Sequence, residues 1–181
     1  MKERSTCLIK LRLKNHYSHE EKRNLKGYRL LIPTETTPMQ PKKYDLFHWN
    51  KSYFSVYNCF ELADIRKRAI FRGRVDFVVT VEYNRDINYF SNITDSISRD
   101  IHAYIIQVNT SEYGDSRITQ PSDTTTKDIL KIKGGNNVSL ITSSIDIRSL
   151  REFQKLKHPL QEGNKNFKYT PPNFDMIDRN C

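Results

Sequence analysis

His16 and His19, three residues apart and next to Glu20 and Glu21, are the first side chains along the chain with the types to hold a metal or move a proton. Zinc hydrolases place two histidines on adjacent turns of one helix with a glutamate between them as His-Glu-x-x-His. His16-Tyr17-Ser18-His19 lacks that arrangement and reads as solvated loop histidines. Asp76 and Glu82 form a second pair, because two carboxylates on one face of a strand can hold Mg²⁺ for phosphodiester cleavage. A nuclease of the Asp…Glu-x-Lys type would place lysine two residues after Glu82, where this chain has Asn84. An outward pair of solubilising acids explains them. Cys7, Cys59 and Cys181 have no metal-like or disulfide-like spacing, and none has a recognisable catalytic neighbourhood. No Gly-x-Ser-x-Gly elbow and no glycine-rich phosphate loop occurs. On these grounds the expectation is no catalytic residue, no metal and no cofactor.

Electrostatics is what remains. Thirty Lys and Arg against 21 Asp and Glu give a net charge of +9, a balance that favours phosphate-bearing partners. The excess is concentrated in two places: Lys10, Arg12 and Lys14 on one side of an alternating stretch, and Arg66, Lys67, Arg68, Arg72 and Arg74 within nine residues. These eight residues are the expected contacts to nucleic acid or anionic lipid. For Arg66 to Arg68 there is a simpler role, since cations at the end of a short helix complement its dipole.

The elements that would carry these charges follow from periodicity. Residues 7–14 alternate as a half-buried strand. Ser18 and Glu21 have the spacing of a capping box for a short helix stopped by Gly27. Pro33, Pro38 and Pro41 mark an exposed connection to the aromatic-rich stretch 47–60, and residues 61–70 can form a short helix. Residues 74–83 are the clearest strand, with Val75, Phe77, Val79 and Val81 toward the core and Asp76 and Glu82 outward. The clearest helix follows, with Asn92 as its cap and Ile93, Ile97, Ile101, Ile105 and Val108 on one face. A long flexible loop is expected at about 109–127. A hairpin should set Leu130 and Ile132 against Val138 and Leu140, and a last helix spans 144–157. The sum is a single α+β domain over residues 1–160, an antiparallel sheet packed by two or three helices, followed by a loose tail over 161–181. No apolar run reaches membrane-span length, and the odd, scattered cysteines suit a reducing compartment.

Residues 65–86, from the arginine-containing turn at Arg66 to Arg68 through Arg72-Gly73 into the strand ending at Tyr83 and Asp86, resemble the corresponding region of rhabdovirus matrix proteins. Length and basic charge are similar to those of the plant-infecting members, although the Pro-Pro-x-Tyr signal of animal-infecting relatives has only the imitation Pro171-Pro172-Asn173-Phe174. The resemblance implies a non-enzymatic structural protein with no cofactor and no small-molecule substrate. Such a protein would self-associate, condense the viral nucleoprotein–RNA complex and contact an acidic phospholipid membrane. It would be found in the virion, in the host cytoplasm, at the inner membrane face and in the nucleus. A non-matrix viral RNA-binding protein, such as a silencing suppressor or movement factor, is the alternative, with the Mg²⁺ nuclease behind it.

Overall fold

A computed structural model of the chain describes residues 7–32, 42–135 and 140–176. Two compact units divide it, Met1–Lys43 and Tyr44–Cys181. In the first, Ser18 caps helix α1 (His19–Gly27) through the anticipated capping box: its hydroxyl accepts from Glu21 N at 3.2 Å, and Glu21 Oε2 accepts from Ser18 N at 2.7 Å. Residues 7–14 are not a strand. They pair with no strand among the described residues, and Leu8, Ile9, Leu11 and Leu13 are all exposed. Alternation makes a strand only where a neighbouring edge takes its backbone hydrogen bonds, and none is paired with it here. The proline connection at 33–41 lies outside the described residues.

The second unit carries the α+β fold. Six strands stand side by side in sequence order: β1 (Phe47–Trp49), β2 (Ser52–Asn58), β3 (Phe77–Glu82), β4 (Tyr104–Asn109), β5 (Ser116–Thr119) and β6 (Asp128–Ile132). The expected antiparallel pairing holds for β1–β2, β4–β5 and β5–β6, whereas the central β2, β3 and β4 run parallel. Parallel neighbours need crossovers. The first is a 3-10 turn (Cys59–Ala63) followed by helix α2 (Ile65–Arg68), and the second is helix α3 (Ile87–Asp100). Asn50 and Lys51, both at positive φ, make the tight turn between β1 and β2.

Both crossovers cover one face of the sheet. Leu62, Phe71 and Val75 from the first and Phe90, Ile93 and Ile97 from α3 pack on Tyr57, Val78 and Ile105. Helix α3 starts at Ile87 under an Asp86 cap, whose Oδ1 accepts from Tyr89 N at 3.1 Å, not at Asn92. It ends at Asp100, so Ile105 and Val108 belong to β4. His102, at φ +53, breaks the helical run that the isoleucine spacing seemed to continue.

Among the described residues of this unit, one end of the opposite face is covered. Helix α4 (Ile147–Lys155) and Phe167 bring Leu150 and Phe153 onto Tyr104 and Phe77, and Phe54 stacks on Phe77 at 4.9 Å. Beyond these aromatics the register aligns Val56, Val79, Ile106, Ile118 and Leu130 across five strands, all half-buried. In the next row Val81 is 50% and Val108 45% exposed, with Ile132 half-buried beside them. The predicted faces of β3 hold only in part: Val75 is buried and Phe77 packs under α4 as core residues, but Asp76 and Glu82, expected outward, are buried with Val78 and Thr80, while Val81 is half exposed.

The expected loop at 109–127 contains β5, an interior strand of the sheet. Leu130 and Ile132 pair with β5 instead of forming the predicted hairpin; Val138 lies outside the described residues, and Leu140 is 92% exposed. The expected tail is packed as far as residue 176. Phe167 is buried in the second cluster, Lys168 N donates to Pro121 O at 2.8 Å, and His102 Nε2 lies 2.8 Å from Lys168 O.

Candidate active site at the carboxyl edge of the parallel strands

In open sheets with parallel strands, ligands gather beyond the strands' carboxyl ends. Here that edge is made by Asn58, Glu82 and Asn109, the last residues of β2, β3 and β4. Cys59 comes immediately after β2. Its φ of +47 is a left-handed conformation that a residue with a Cβ adopts at a cost. The chain turns there from strand directly into the 3-10 turn, so Cys59 is the first residue of a strand-to-helix elbow, the geometry that presents a nucleophile at a sheet edge. It is partly exposed and packs against the cluster beneath α3.

Several contacts fix the elbow. Glu61 is fully buried, and its Oε2 accepts from Asn58 N at 2.8 Å, bracing the peptide that leads into Cys59. Asp64 Oδ1 caps α2 by accepting from Arg66 N (3.1 Å) and Lys67 N (3.3 Å). Tyr57 Oη donates to Lys67 O at 2.8 Å and ties α2 to the strand from which Cys59 emerges.

Next to this elbow, strand β3 ends in Glu82, 6% exposed. Thr80 Oγ1 donates to its Oε1 at 3.1 Å and Gln107 Nε2 to its Oε2 at 3.0 Å, while Thr94 Oγ1 from α3 donates to Gln107 Oε1 at 3.0 Å. Burial pushes the Glu82 carboxyl from 4.5 up to about 7. Its hydrogen bonds from Gln107 and Thr80 pull the other way, Asp115 adds to the rise, and Arg117 opposes it. A carboxyl poised near neutrality can both take and give a proton. Asn109 joins the loops beyond β3 and β4: Nδ2 donates to Asn84 O and Gly114 O, each at 2.9 Å, and Oδ1 accepts from Asn84 N at 3.0 Å.

The two candidate nuclease carboxylates do not form a pair. Both are buried, at opposite ends of β3, roughly 20 Å apart at strand rise. Asp76 is occupied by Arg151, whose Nε and Nη2 donate to Oδ1 and Oδ2 at 2.8 and 2.6 Å, and by Tyr53 N at 2.8 Å. Such a desolvated bidentate pair joins α4 to the sheet. Of the histidines, His16 lies 3.0 Å from Lys42 Nζ, and His19 begins α1. Among the described residues no group of three or more His, Cys, Asp and Glu could hold a metal ion, and no helix is long and apolar enough to cross a membrane.

The basic residues are divided between the units, with Lys10, Arg12 and Lys14 in Met1–Lys43 and the others in Tyr44–Cys181. Lys14 pairs with Glu21 and lies 5.7 Å from the Tyr17 ring centre. Arg66, Lys67 and Arg68 form the last turn of α2, as the dipole argument allows. Arg72 does not face solvent as a free cation. Its Nη2 donates to Pro171 O at 3.3 Å and to Pro172 O, and its guanidinium lies 5.9 Å from the Phe174 ring centre. Arg74 is exposed.

No protein-family model and no curated protein matches the sequence. Solved structures do match in fold. A CN-hydrolase superfamily protein from Xanthomonas campestris, with an arsenic adduct in its active site, superposes with a TM-score of 0.53 at 14% identity, covering 71% of this chain and 52% of that one. A cysteine-to-alanine mutant of a Nesterenkonia amidase from the nitrilase superfamily gives 0.51 at 12% identity, and the cysteine-to-serine mutant of the same amidase gives 0.50 at 11%; each comparison covers 71% of this chain and 48% of that one. The chain thus spans about half the length of these neighbours, and the likeness is one of fold.

That fold, shared with CN-hydrolase and amidase structures, is the finding that speaks against the matrix-type structural role and against the expectation of a chain without enzymatic activity. The basic turn and alternating strand behind the viral resemblance are, physically, the β2–β3 crossover of a parallel sheet and the strand β3 that it leads into. What looked like a charged scaffold is the segment that follows a cysteine elbow. Sequence reasoning passed over Cys59 because its distinguishing property is a backbone angle. The available signal was an aromatic and β-branched run over 52–58 broken at Asn58-Cys59, with Asp64, a helix-capping type, five residues later.

Proposed function

We propose that the chain belongs to a cysteine-dependent hydrolase acting on carbon–nitrogen bonds of the amide type, with Cys59 as its nucleophile. The observation that carries this reading is the Cys59 elbow at φ +47, at the carboxyl end of a parallel strand, in a fold whose neighbours include amidases. In such a reaction the thiolate adds to the amide carbonyl carbon. The carbon–nitrogen bond then breaks, and the amine leaves with a proton to give a thioester. Water attacks the thioester, releasing the carboxylic acid and restoring the thiol. Glu82 is the acid–base group that this edge offers for the proton transfers, being buried and raised to about 7.

The reading is tested by incubating the full chain with short aliphatic amides and measuring ammonia release, in parallel with iodoacetamide labelling mapped to Cys7, Cys59 and Cys181. Cys59 should be alkylated fastest at neutral pH. Cys59→Ala should lose hydrolysis by about three orders of magnitude or more, while Cys7→Ala keeps it. Hydrolysis that survives Cys59→Ala, or a Cys59 that labels no faster than the exposed Cys7, would remove the nucleophile from this position.

A further inference from the structure

Helix α3 buries an apolar row, Phe90, Ile93 and Ile97, and Thr94 and Ser98 interrupt it. The Ser98 hydroxyl donates to Ala103 O at 2.9 Å, just beyond the end of the helix. Thr94, with no exposed surface, reaches instead across to strand β4. A hydroxyl in an apolar row costs free energy unless it is bonded. Its partner is Gln107, 2% exposed, and the contact has a direction: Thr94 Oγ1 donates to Oε1, which leaves Nε2 to donate to Glu82 Oε2 at 3.0 Å. Reversing the amide would set its oxygen against a carboxylate oxygen, two acceptors with no proton between them.

We propose that Thr94 and Gln107 are positioning residues for Glu82: the threonine hydroxyl orients the amide, and the oriented amide donates to the carboxylate and so favours the ionised form that can accept a proton. The chain of three lies in the buried layer between α3 and the sheet, where hydrogen bonds are electrostatically strongest. It works against burial, which raises the Glu82 carboxyl to about 7; of the hydrogen bonds that pull it down, that from Gln107 is the largest. The charged and titratable groups around Glu82 have partners of their own. On the β5 side Arg117 Nη2 lies 2.5 Å from Asp115 Oδ2, and Lys131 Nζ lies 3.1 Å from Asp115 Oδ1. On α3, Asp95 pairs with Lys127 and Arg117. On the 3-10 turn after β2 are Cys59 and Glu61, whose Oε2 accepts from Asn58 N. The proposal deepens the reading of Glu82 as the acid–base group, and rests on that reading only for its effect on hydrolysis.

The test is to titrate the Glu82 carboxyl in the full chain by carbon-13 NMR of labelled glutamate, its signal assigned with Glu82→Gln, in the wild type and in Thr94→Val, Thr94→Ser and Gln107→Met. Valine keeps the shape of threonine and loses the hydroxyl; serine keeps the hydroxyl and loses the methyl. Thr94→Val should raise the midpoint by about one pH unit and Gln107→Met by about one to two, the range that a hydrogen bond to a charged group covers. Thr94→Ser should stay within about 0.3 of wild type. A midpoint that Thr94→Val leaves unchanged, or that valine and serine shift equally, would make Thr94 a packing residue and overturn the proposal. In the amide-hydrolysis assay the acid limb of the pH profile should move up with the midpoint. A midpoint that moves while the profile stays fixed upholds the pair and removes Glu82 from the reaction; if no amide is hydrolysed, the carbon titration alone decides.

Discussion

Glu82 shows how one side chain can mislead a reading by pattern and still carry chemistry. On a strand whose other side is rich in valine, a glutamate is assigned to solvent, yet its carboxyl is held in the covered layer by Thr80 and Gln107. Burial raises its proton affinity in the folded state, so the native chain retains a proton that the unfolded chain has released between pH 4.5 and about 7. Stability is therefore greatest below pH 4.5 as far as this group is concerned. It falls as pH rises through that window and levels off above about 7. For a fully buried carboxyl the integrated loss is on the order of 3 kcal/mol. Glu82→Gln keeps the shape without the titration. Its urea-unfolding free energy relative to wild type should improve by roughly that amount between about pH 5 and about pH 8. Parallel curves for the two proteins would mean that Glu82 ionises normally. The other site residue, Cys59, was legible only in its chemistry, because a one-letter sequence does not record a positive φ.

Among the elements, those governed by local rules were readable. The Ser18–Glu21 capping box, the α4 spacing of Leu150 and Phe153, and the existence of β3 all follow from short-range pattern. Elements that depend on distant partners were not. Strand β5 is four residues long and polar on its inner side, where Arg117 is buried against Asp115 at 2.5 Å. A four-residue strand held by an ion pair has the composition of a loop. Residues 161–175 likewise look like a tail because their anchors lie elsewhere, on His102, Pro121 and Arg72. Gly73 shows how closely this strap is seated: at φ +70, a Cβ there would run into the backbone carbonyl of Asp175. Gly73→Ala should destabilise the protein by about 2 kcal/mol or more, from strained backbone plus displacement of the strap. Proteolysis near Lys165 and Lys168 should quicken with it. A melt within about 0.5 kcal/mol of wild type, the usual range for a surface change, would show that the strap is not held at this point.

At the scale of the molecule, the α+β class was evident from the mixture of periodicities, but the sheet's direction was not. Pairing sense is decided by where crossovers lie, and the decisive one, over residues 59–76, contains a five-residue 3-10 turn and a four-residue helix. Such a short crossover leaves little helical periodicity to read. The boundary at Lys43 was also missed, because the alternation over 7–14 imitates a core strand while its leucines are exposed. Both apolar clusters are assembled wholly from Tyr44 onward: one joins the crossovers to β2, β3 and β4, and the other joins α4 and Phe167 to Tyr104. A unit that owns its whole core should fold by itself. The fragment 44–181 should therefore melt in one cooperative transition within about 4 °C of the full chain, the shift that about 1 kcal/mol produces in a domain of this size. If it instead lost its near-ultraviolet circular dichroism and melted without cooperativity, residues 1–43 would be contributing to the fold beyond what the two clusters require.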